Sequence, residues 1–233
     1  MTVSSILYPT QLIMLPKTLA LIHTSAIMVP VFQQLCAEHL PGVQVFNIVD
    51  DSLVKTITRE GELTPAVARR VVGYVNSAEA GGADYVLVTC SSIGAAVEQA
   101  AGLSSVPVLR VDQPMADQAV QIGRRIGVIA TLPTTLGPTA DLVQRRAARA
   151  GKAIELTSVL CEGAFEALMN GNGARHDAIV AAALKELVAK VDVVVLAQAS
   201  MARVVDALAP ADRVVPILAS PGIAIQHLAT ELV

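Results

Sequence analysis

The chain of 233 residues has almost no aromatic side chains, few charged residues and only three cysteines. Aromatic residues make up 3% of it, tryptophan is absent, and lysine and arginine form no cluster. Nucleic-acid grooves combine basic clusters with stacking rings, so we expect no nucleic-acid partner. Cys36, Cys90 and Cys161 have neither metal-ligand spacing nor the even number of a disulfide set. They indicate a reducing compartment, and we expect a cytoplasmic protein without a metal site.

Long uninterrupted apolar runs are also missing, although 53% of the residues are hydrophobic. A membrane-spanning helix needs about 18 or more consecutive apolar residues, so no membrane span is expected. Pro9 and Pro16 interrupt the apolar start of the chain and no basic residue precedes it, which argues against a signal peptide. The hydrophobicity instead indicates parallel strands that are buried on both faces.

Short runs of Val, Ile and Leu alternate with longer Ala-rich segments of helical periodicity, which is typical of a parallel α/β protein. The predicted strands are Leu19–His23, Val43–Val49, Tyr85–Thr89, Val106–Val111, Arg125–Ala130, Ile154–Ser158, Val193–Ala197 and Val214–Ile217. The predicted helices include Ile27–Glu38, Pro65–Ala80, Asp177–Ala189 and one that begins at Ser220-Pro221. Thr64 followed by Pro65 is a strong signal for a helix start.

The segment Asp84–Glu98 resembles Asp192–Asp206 in residue type and order. Four pairs are identical: Asp84/Asp192, Val86/Val194, Ser92/Ser200 and Val97/Val205. The motifs VPVL and VPIL follow the two segments in the same order, and LIHTS and VIATL precede them. This repetition predicts two similar βα lobes, although any two strand-turn-helix units share some features.

We therefore expect two pseudo-symmetric Rossmann-like or flavodoxin-like lobes with parallel sheets and a cleft between them. Lobe 1 is predicted to comprise residues 18–115 with the C-terminal helix 219–233, and lobe 2 residues 116–218. Residues 1–17 form an N-terminal extension in this scheme.

Ligands of such folds bind outside the carboxyl ends of the strands. The turns that follow these ends begin at His23, Thr89, Thr131 and Gln198, and they are rich in hydroxyls and small residues. Free N–H groups at helix starts favour an anion, so a small carboxylate is the expected ligand. The candidate binding residues are Thr24, Ser91, Ser92, Thr131, Pro133, Thr134, Thr135, Ala199 and Ser200.

Cys90 lies where a strand ends and a helix begins, a position that lowers a thiol's pKa and suits an acid/base group. The alternative is a small buried hydrophobe. Gln198 occupies the matching position of the second segment, where its amide can orient a carboxylate or simply be a polar turn residue. His23 is a candidate acid/base group or a structural histidine.

The motifs ADYVLVTCSS, IGVIATLPTT and VDVVVLAQASM resemble those of the aspartate/glutamate racemase superfamily, over roughly residues 18–230. That superfamily includes hydantoin racemases, maleate isomerases and arylmalonate decarboxylases. The resemblance implies two pseudo-symmetric lobes and two catalytic cysteines, one from each lobe, without metal or pyridoxal cofactor. It also implies a homo-oligomer, to which the apolar segment Val3–Leu15 can contribute.

The first family cysteine corresponds to Cys90, but the second corresponds to Gln198. The Asn-Thr that follows the first cysteine in the family is Ser91-Ser92 here. The family's anion-binding turn corresponds to Thr131, Pro133, Thr134 and Thr135. A single cysteine favours an isomerase with one acid/base or nucleophilic thiol. A decarboxylase of the arylmalonate type and a carboxylate-binding protein without catalysis remain open alternatives.

Overall fold

A computed structural model describes residues 16–232 of the chain, and within them eight strands and ten α-helices alternate. The strands are β1 Thr18–His23, β2 Gln44–Val49, β3 Tyr85–Val88, β4 Val108–Arg110, β5 Arg125–Ala130, β6 Glu155–Leu160, β7 Val193–Leu196 and β8 Ile217–Ala219. The helices are α1 Met28–His39, α2 Ser52–Glu60, α3 Pro65–Ala80, α4 Gly94–Ala101, α5 Gln113–Ile122, α6 Pro133–Arg149, α7 Ala164–Met169, α8 Gly173–Val188, α9 Ala202–Ala207 and α10 Ser220–Leu232.

The strands form two four-stranded sheets with the same order, β2-β1-β3-β4 and β6-β5-β7-β8. Every pairing is parallel. The central strands are buried, because helices cover both faces of a parallel sheet. The predicted α/β fold with two lobes is confirmed.

An aspartate joins the starts of the two central strands in each lobe. Asp84 accepts a hydrogen bond from the Thr18 N–H at 2.8 Å, and Asp192 accepts one from the Arg125 N–H at the same distance. These aspartates belong to the sequence repeat, and they perform the same structural task in both lobes. The duplication predicted from the sequence is therefore visible in the contacts.

The proline-containing strands begin later than predicted. The sequence predicted strands at Val106–Val111 and Val214–Ile217, whereas β4 begins at Val108 and β8 at Ile217. Pro107 and Pro216 have no N–H to donate, so the strands begin immediately after them. Their carbonyls still accept hydrogen bonds from Val86 and Val194, each at 2.9 Å.

The helices that follow the last strand of each sheet cross to the other lobe. Met115, Ala116 and Ala119 of α5 lie in the core around β5 and β7. Ala224, Ile225 and Leu228 of α10 lie in the core around β1 and β3. This exchange ties the two lobes together through buried apolar side chains, and the assignment of the C-terminal helix to lobe 1 stays a prediction.

Two predicted helix starts, at Pro65 and Ser220, are confirmed, whereas α8 begins at Gly173 and not at the predicted Asp177, because the Asn172 side chain caps the helix by accepting a hydrogen bond from the Arg175 N–H. The Thr64 hydroxyl accepts a hydrogen bond from the Val67 N–H, and Pro65 is the first residue of α3, as predicted. Proline also stands in the first turn of α5, α6 and α10, where its missing N–H is not needed. No helix within residues 16–232 is long and apolar enough to cross a membrane. The segment Val3–Leu15 lies outside the described residues, and homo-oligomerisation stays a prediction.

Candidate active site

Cys90 and Gln198 occupy matching positions at the carboxyl ends of β3 and β7. Both residues have extended backbones, with φ −133° and ψ 120° for Cys90 and φ −133° and ψ 135° for Gln198. A 3-10 turn follows each, Ser91–Ile93 in lobe 1 and Ala199–Met201 in lobe 2, and an α-helix continues from each turn. The two side chains are therefore presented by the same backbone geometry.

Several hydrogen-bond donors surround the Cys90 thiol. The side chains of Thr24 and Ser92 and the backbone N–H groups of Ser92 and Ile93 bond to it. Each of these bonds favours the thiolate, because it is donated to the sulfur. The turn after β3 thus provides an anion-stabilising set of donors around one sulfur atom.

Burial nevertheless raises the pKa of the Cys90 thiol above its ordinary value, and the four hydrogen bonds only oppose this effect. The lowered pKa predicted from the position at a helix start is therefore wrong in its net direction. The physical reason is desolvation, which disfavours the charged thiolate more than the donors favour it. The resting group is a protonated thiol at neutral pH.

Gln198 is held by Thr131, the residue that matches Thr24 in the repeat. The Thr131 N–H donates to Gln198 Oε1 at 2.6 Å, and the Thr131 hydroxyl donates to the same oxygen at 2.9 Å. These bonds fix the orientation of the amide. Gln198 Nε2 donates no hydrogen bond to another described residue, and the side chain is half-buried. A free N–H donor therefore remains at this strand end.

The carboxyl edges of the two lobes meet at Ser92 and Thr135. Their hydroxyl oxygens lie 2.9 Å apart, and both residues are buried. Ser92 follows Cys90, while Thr135 lies in the first turn of α6, which follows Thr131. This contact joins the Cys90 turn to the chain segment that holds Gln198.

The predicted site residues fall into two groups by exposure. Half-buried residues at the strand ends can meet a ligand, and these are Cys90, Thr134, Gln198, Ala199 and Ser200, with Pro133 exposed beside them. The remaining hydroxyl residues are buried and support the first group, and these are Thr24, Ser91, Ser92, Thr131 and Thr135. Direct ligand contact for the buried group stays a prediction.

His23 is fully buried, at 0% exposure, and both of its ring nitrogens have partners. Nδ1 lies 2.8 Å from the Thr89 hydroxyl and Nε2 lies 3.0 Å from Asn47 Oδ1. Burial lowers the pKa of His23, and the hydrogen bond with Asn47 opposes the shift. The ring also packs at a tilt against Phe32. This environment favours a structural role over the predicted acid/base role.

The other two cysteines are buried in apolar cores. Cys36 packs in the core of lobe 1, and Cys161 packs in that of lobe 2. Burial raises the pKa of each thiol to about 11. Neither has the hydrogen-bond donors that surround Cys90.

A buried ion pair beside the site escaped the sequence analysis. Arg110, at the end of β4, donates through Nε and one terminal nitrogen to the two carboxylate oxygens of Asp112, each at 2.8 Å. Its guanidinium lies against Gly94, where a Cβ atom would come within 2.3 Å of Arg110 Cζ. Glu98 bridges Arg110 and Arg145 of lobe 2. The signal was an arginine two residues before an aspartate at the end of an apolar strand.

Metal-ligating side chains do not gather in groups of three or more anywhere in the described part of the chain. The cofactor-independent chemistry implied by the family resemblance stays a prediction.

A model of the family Asp/Glu/Hydantoin racemase matches residues 20–228. No curated protein sequence matches the chain. Solved structures do: a Yersinia pestis protein that has been proposed to be an Asp/Glu racemase has a TM-score of 0.72 and 20% identity, with 93% of this chain and 99% of that chain covered. A glutamate racemase isoform from Bacillus anthracis has a TM-score of 0.69 and 17% identity, with 93% and 81% covered.

A Gly74Cys mutant of arylmalonate decarboxylase has a TM-score of 0.54 and 18% identity, with 92% of each chain covered. At these identities the likeness to solved structures is one of fold. The family match extends over both lobes and includes Cys90 and Gln198. The chain belongs to the Asp/Glu/hydantoin racemase family and is a racemase-type enzyme.

Proposed function

We propose that this enzyme moves a carbon-bound proton of a small carboxylate without a cofactor, using Cys90 as its only thiol acid/base. The substrate class is an amino acid, a hydantoin or a dicarboxylic acid. Gln198 then binds the substrate carboxylate or the enolate oxygen that develops beside it. The contrast between the two matched strand ends is the observation that supports this proposal most strongly.

Cys90 can gain and lose a proton, whereas the amide of Gln198 cannot. The four donors around the sulfur would stabilise a thiolate when it forms. On the opposite side, Thr131 holds Gln198 Oε1 and leaves Nε2 available as a donor. The arrangement therefore favours proton transfer on one face of the substrate and hydrogen bonding on the other.

The proposed step conserves atoms and charge. The Cys90 thiolate takes the proton from the carbon beside the carbonyl, and the C–H electron pair moves onto the carbonyl oxygen to give an enolate. The Gln198 Nε2–H group donates to that oxygen, a contribution of about 3 kcal/mol for a well-placed donor. The Cys90 thiol exchanges its proton with solvent, and transfer of a proton from the thiol back to the carbon completes the exchange and restores the thiolate.

Because the pKa of the Cys90 thiol is raised, the pH dependence of the rate shows whether Cys90 acts as a base or as an acid. If Cys90 removes the proton, the rate rises with pH as the thiolate fraction grows, and it continues to rise into the alkaline range. If Cys90 delivers a proton after loss of CO2, the rate is constant below the raised pKa and falls above it. The pH–rate profile therefore distinguishes the isomerase from a decarboxylase.

Proton NMR in D2O tests the proposal directly. The wild type and Cys90→Ala are incubated with small amino acids, hydroxy acids, hydantoins, dicarboxylic acids and arylmalonic acids. We expect deuterium uptake at carbon with the wild type and none with Cys90→Ala. Cys36→Ala and Cys161→Ala are matched controls, since these thiols lie in apolar cores, and both are expected to retain the exchange.

Other outcomes overturn the proposal in distinct ways. Uptake that persists in Cys90→Ala contradicts the assignment of the thiol. Release of CO2 from a malonic acid that depends on Cys90 identifies a decarboxylase instead. A compound that raises the melting temperature of the wild type and shows no chemistry identifies a binding protein.

A further inference from the structure

The Ser92 and Thr135 hydroxyls form a hydrogen bond between the Cys90 turn of lobe 1 and the first turn of α6 in lobe 2. The hydroxyl oxygens are 2.9 Å apart, with Ser92 5% and Thr135 3% exposed. Ser92 belongs to the turn that presents Cys90, whereas Thr135 belongs to the first turn of α6 in lobe 2. A buried hydroxyl pair has no water to replace a lost partner, so each group depends on the other.

The direction of this hydrogen bond follows from proton counting. A hydroxyl group has a single hydrogen to donate and two lone pairs that accept. When Cys90 is a thiolate, the Ser92 hydroxyl favours that charged form by donating its hydrogen to the sulfur. It must then accept from Thr135, whose hydroxyl is the donor at 2.9 Å. The resulting chain runs from Thr135 through Ser92 to the sulfur.

We infer that Thr135 is a positioning residue through which lobe 2 orients the Ser92 hydroxyl toward the sulfur of Cys90. The inference rests on the proposed role of Cys90 and gives the buried hydroxyl a task other than ligand contact. Without the Thr135 donor, the Ser92 hydrogen is free to turn away from the sulfur. Lobe 1 thus carries the reactive atom, and lobe 2 supplies part of its hydrogen-bond support.

Charged groups near the Cys90 turn do not provide this support. On the elements around it, His23 of β1 bonds to Thr89 and Asn47, while Glu98 of α4 pairs with Arg110 of β4 and Arg145 of α6. Asp112 pairs with Arg110. Within the described chain, the influences on the thiol are burial and hydrogen bonds from Thr24, Ser92 and Ile93. Burial together with hydroxyl and backbone N–H donors, and no charged neighbour among the described residues, therefore sets the reactivity of the thiol.

Thr135→Val tests the inference because it removes the hydroxyl and keeps the side-chain shape. The measurement is the rate of Cys90 alkylation by iodoacetamide as a function of pH, with the modified peptide quantified by mass spectrometry. We expect the midpoint to move to higher pH and the rate at pH 8 to fall about 2- to 10-fold, the size of one hydrogen bond. This readout needs no substrate, so it is independent of whether the proposed turnover is found.

Thr139→Val is the matched control. Thr139 lies on the same helix one turn further along, is equally buried, and its hydroxyl has no partner among residues 16–232. The same substitution there is expected to leave the alkylation profile unchanged. Thr135→Ser, which retains the hydroxyl, is expected to restore the wild-type profile and controls for any folding defect of the valine variant.

Ser92→Ala, alone and combined with Thr135→Val, completes a double-mutant cycle. It should shift the alkylation midpoint at least as far as Thr135→Val, and adding Thr135→Val to it should produce no further shift. Shifts that add independently contradict the proposed chain of donors. A Thr135→Val profile identical to that of Thr139→Val also overturns the inference, and neither result bears on whether Cys90 itself is required for turnover.

Discussion

The Cys90 turn of lobe 1 and the Gln198 turn of lobe 2 have the same geometry and different chemistry. Thr24 bonds to the Cys90 thiol, and its counterpart Thr131 bonds to the Gln198 amide. Residues 90 and 198 have the same φ of −133°, and their ψ angles are 120° and 135°. A thiol can exchange a proton, whereas a neutral amide can only form hydrogen bonds.

The two lobes share their structural features but differ in the side chain that would take part in the reaction. Strand order, the aspartates at the strand starts and the threonine that supports each turn are repeated in both lobes. The thiol is not repeated. A duplicated fold thus provides two equivalent positions, and under the proposed function the side chain at each position decides whether proton transfer or binding takes place there.

The largest effect is expected when lobe 1 is made to resemble lobe 2. Cys90→Gln replaces the thiol by an amide at a position whose backbone already accepts one in lobe 2. We expect the rate of substrate deuterium exchange to fall about 10²- to 10⁴-fold, the usual contribution of an acid/base group. Exchange is followed by NMR, and folding by circular dichroism. A variant that folds and keeps its full rate would show that the thiol is dispensable.

Among the described residues, the buried ion pair Arg110–Asp112 of lobe 1 has no counterpart in lobe 2, since Ala219 occupies the position of Arg110 there. Asp112→Asn removes the fully buried carboxylate and leaves the half-exposed Glu98 as the remaining charge partner of the Arg110 guanidinium. We expect the free energy of unfolding in urea to fall by about 3 kcal/mol, the lower end of the cost of breaking a buried ion pair. The control Asp51→Asn disrupts the exposed pair with Lys55 and should cost less than about 1 kcal/mol. Equal losses in the two variants would refute this account.

Removing the donor on the lobe 2 side tests the other half of the comparison. Gln198→Met keeps the length of the side chain and has no N–H group. Loss of one well-placed donor lowers the rate roughly 10²- to 10³-fold in comparable sites. Deuterium exchange in the wild type and in this variant gives the ratio, and an unchanged rate would remove Gln198 from the mechanism. Thr131→Val, which keeps the amide and removes one of its supports, should have a smaller effect.

The smallest effect concerns His23, whose counterpart in lobe 2 is Ala130. Burial lowers the pKa of His23 below 6.5, so below that pH the unfolded chain binds a proton that the folded chain does not. The stability contributed by the neutral ring is present above pH 6.5 and declines as the pH falls below it. Unfolding in urea between pH 7.5 and roughly pH 5 measures this slope. His23→Gln should flatten it, and parallel slopes in the two proteins would contradict the prediction.

The sequence predicted the fold in considerable detail, because hydrophobic periodicity and the repeat are properties of the chain itself. All eight strands lie where runs of Val, Ile and Leu occur, and Thr64-Pro65 marks the start of α3 correctly. The shifts of β4 and β8 follow from Pro107 and Pro216, which cannot donate to the sheet. These local effects are visible in the sequence once their physical cause is considered.

The properties of the site were less accessible because they depend on three-dimensional burial. The position of Cys90 at a helix start indicates hydrogen-bond donors around the thiol, but the sequence does not show its burial, and burial determines the direction of the pKa shift. Asn47 and Thr89 come from different strands, so their bonds to His23 could not be foreseen from spacing. The contact of Ser92 with Thr135 likewise joins residues of different lobes.

The most direct test of the central claim uses the separate enantiomers of any compound that exchanges its carbon-bound proton with this enzyme. Each enantiomer is incubated in D2O, and the initial rate of deuterium uptake is measured by NMR. A single thiol on one face predicts rapid uptake by one enantiomer and little by the other. Equal initial rates for both, each abolished in Cys90→Ala, would show that a second base serves the opposite face and would contradict the one-sided account.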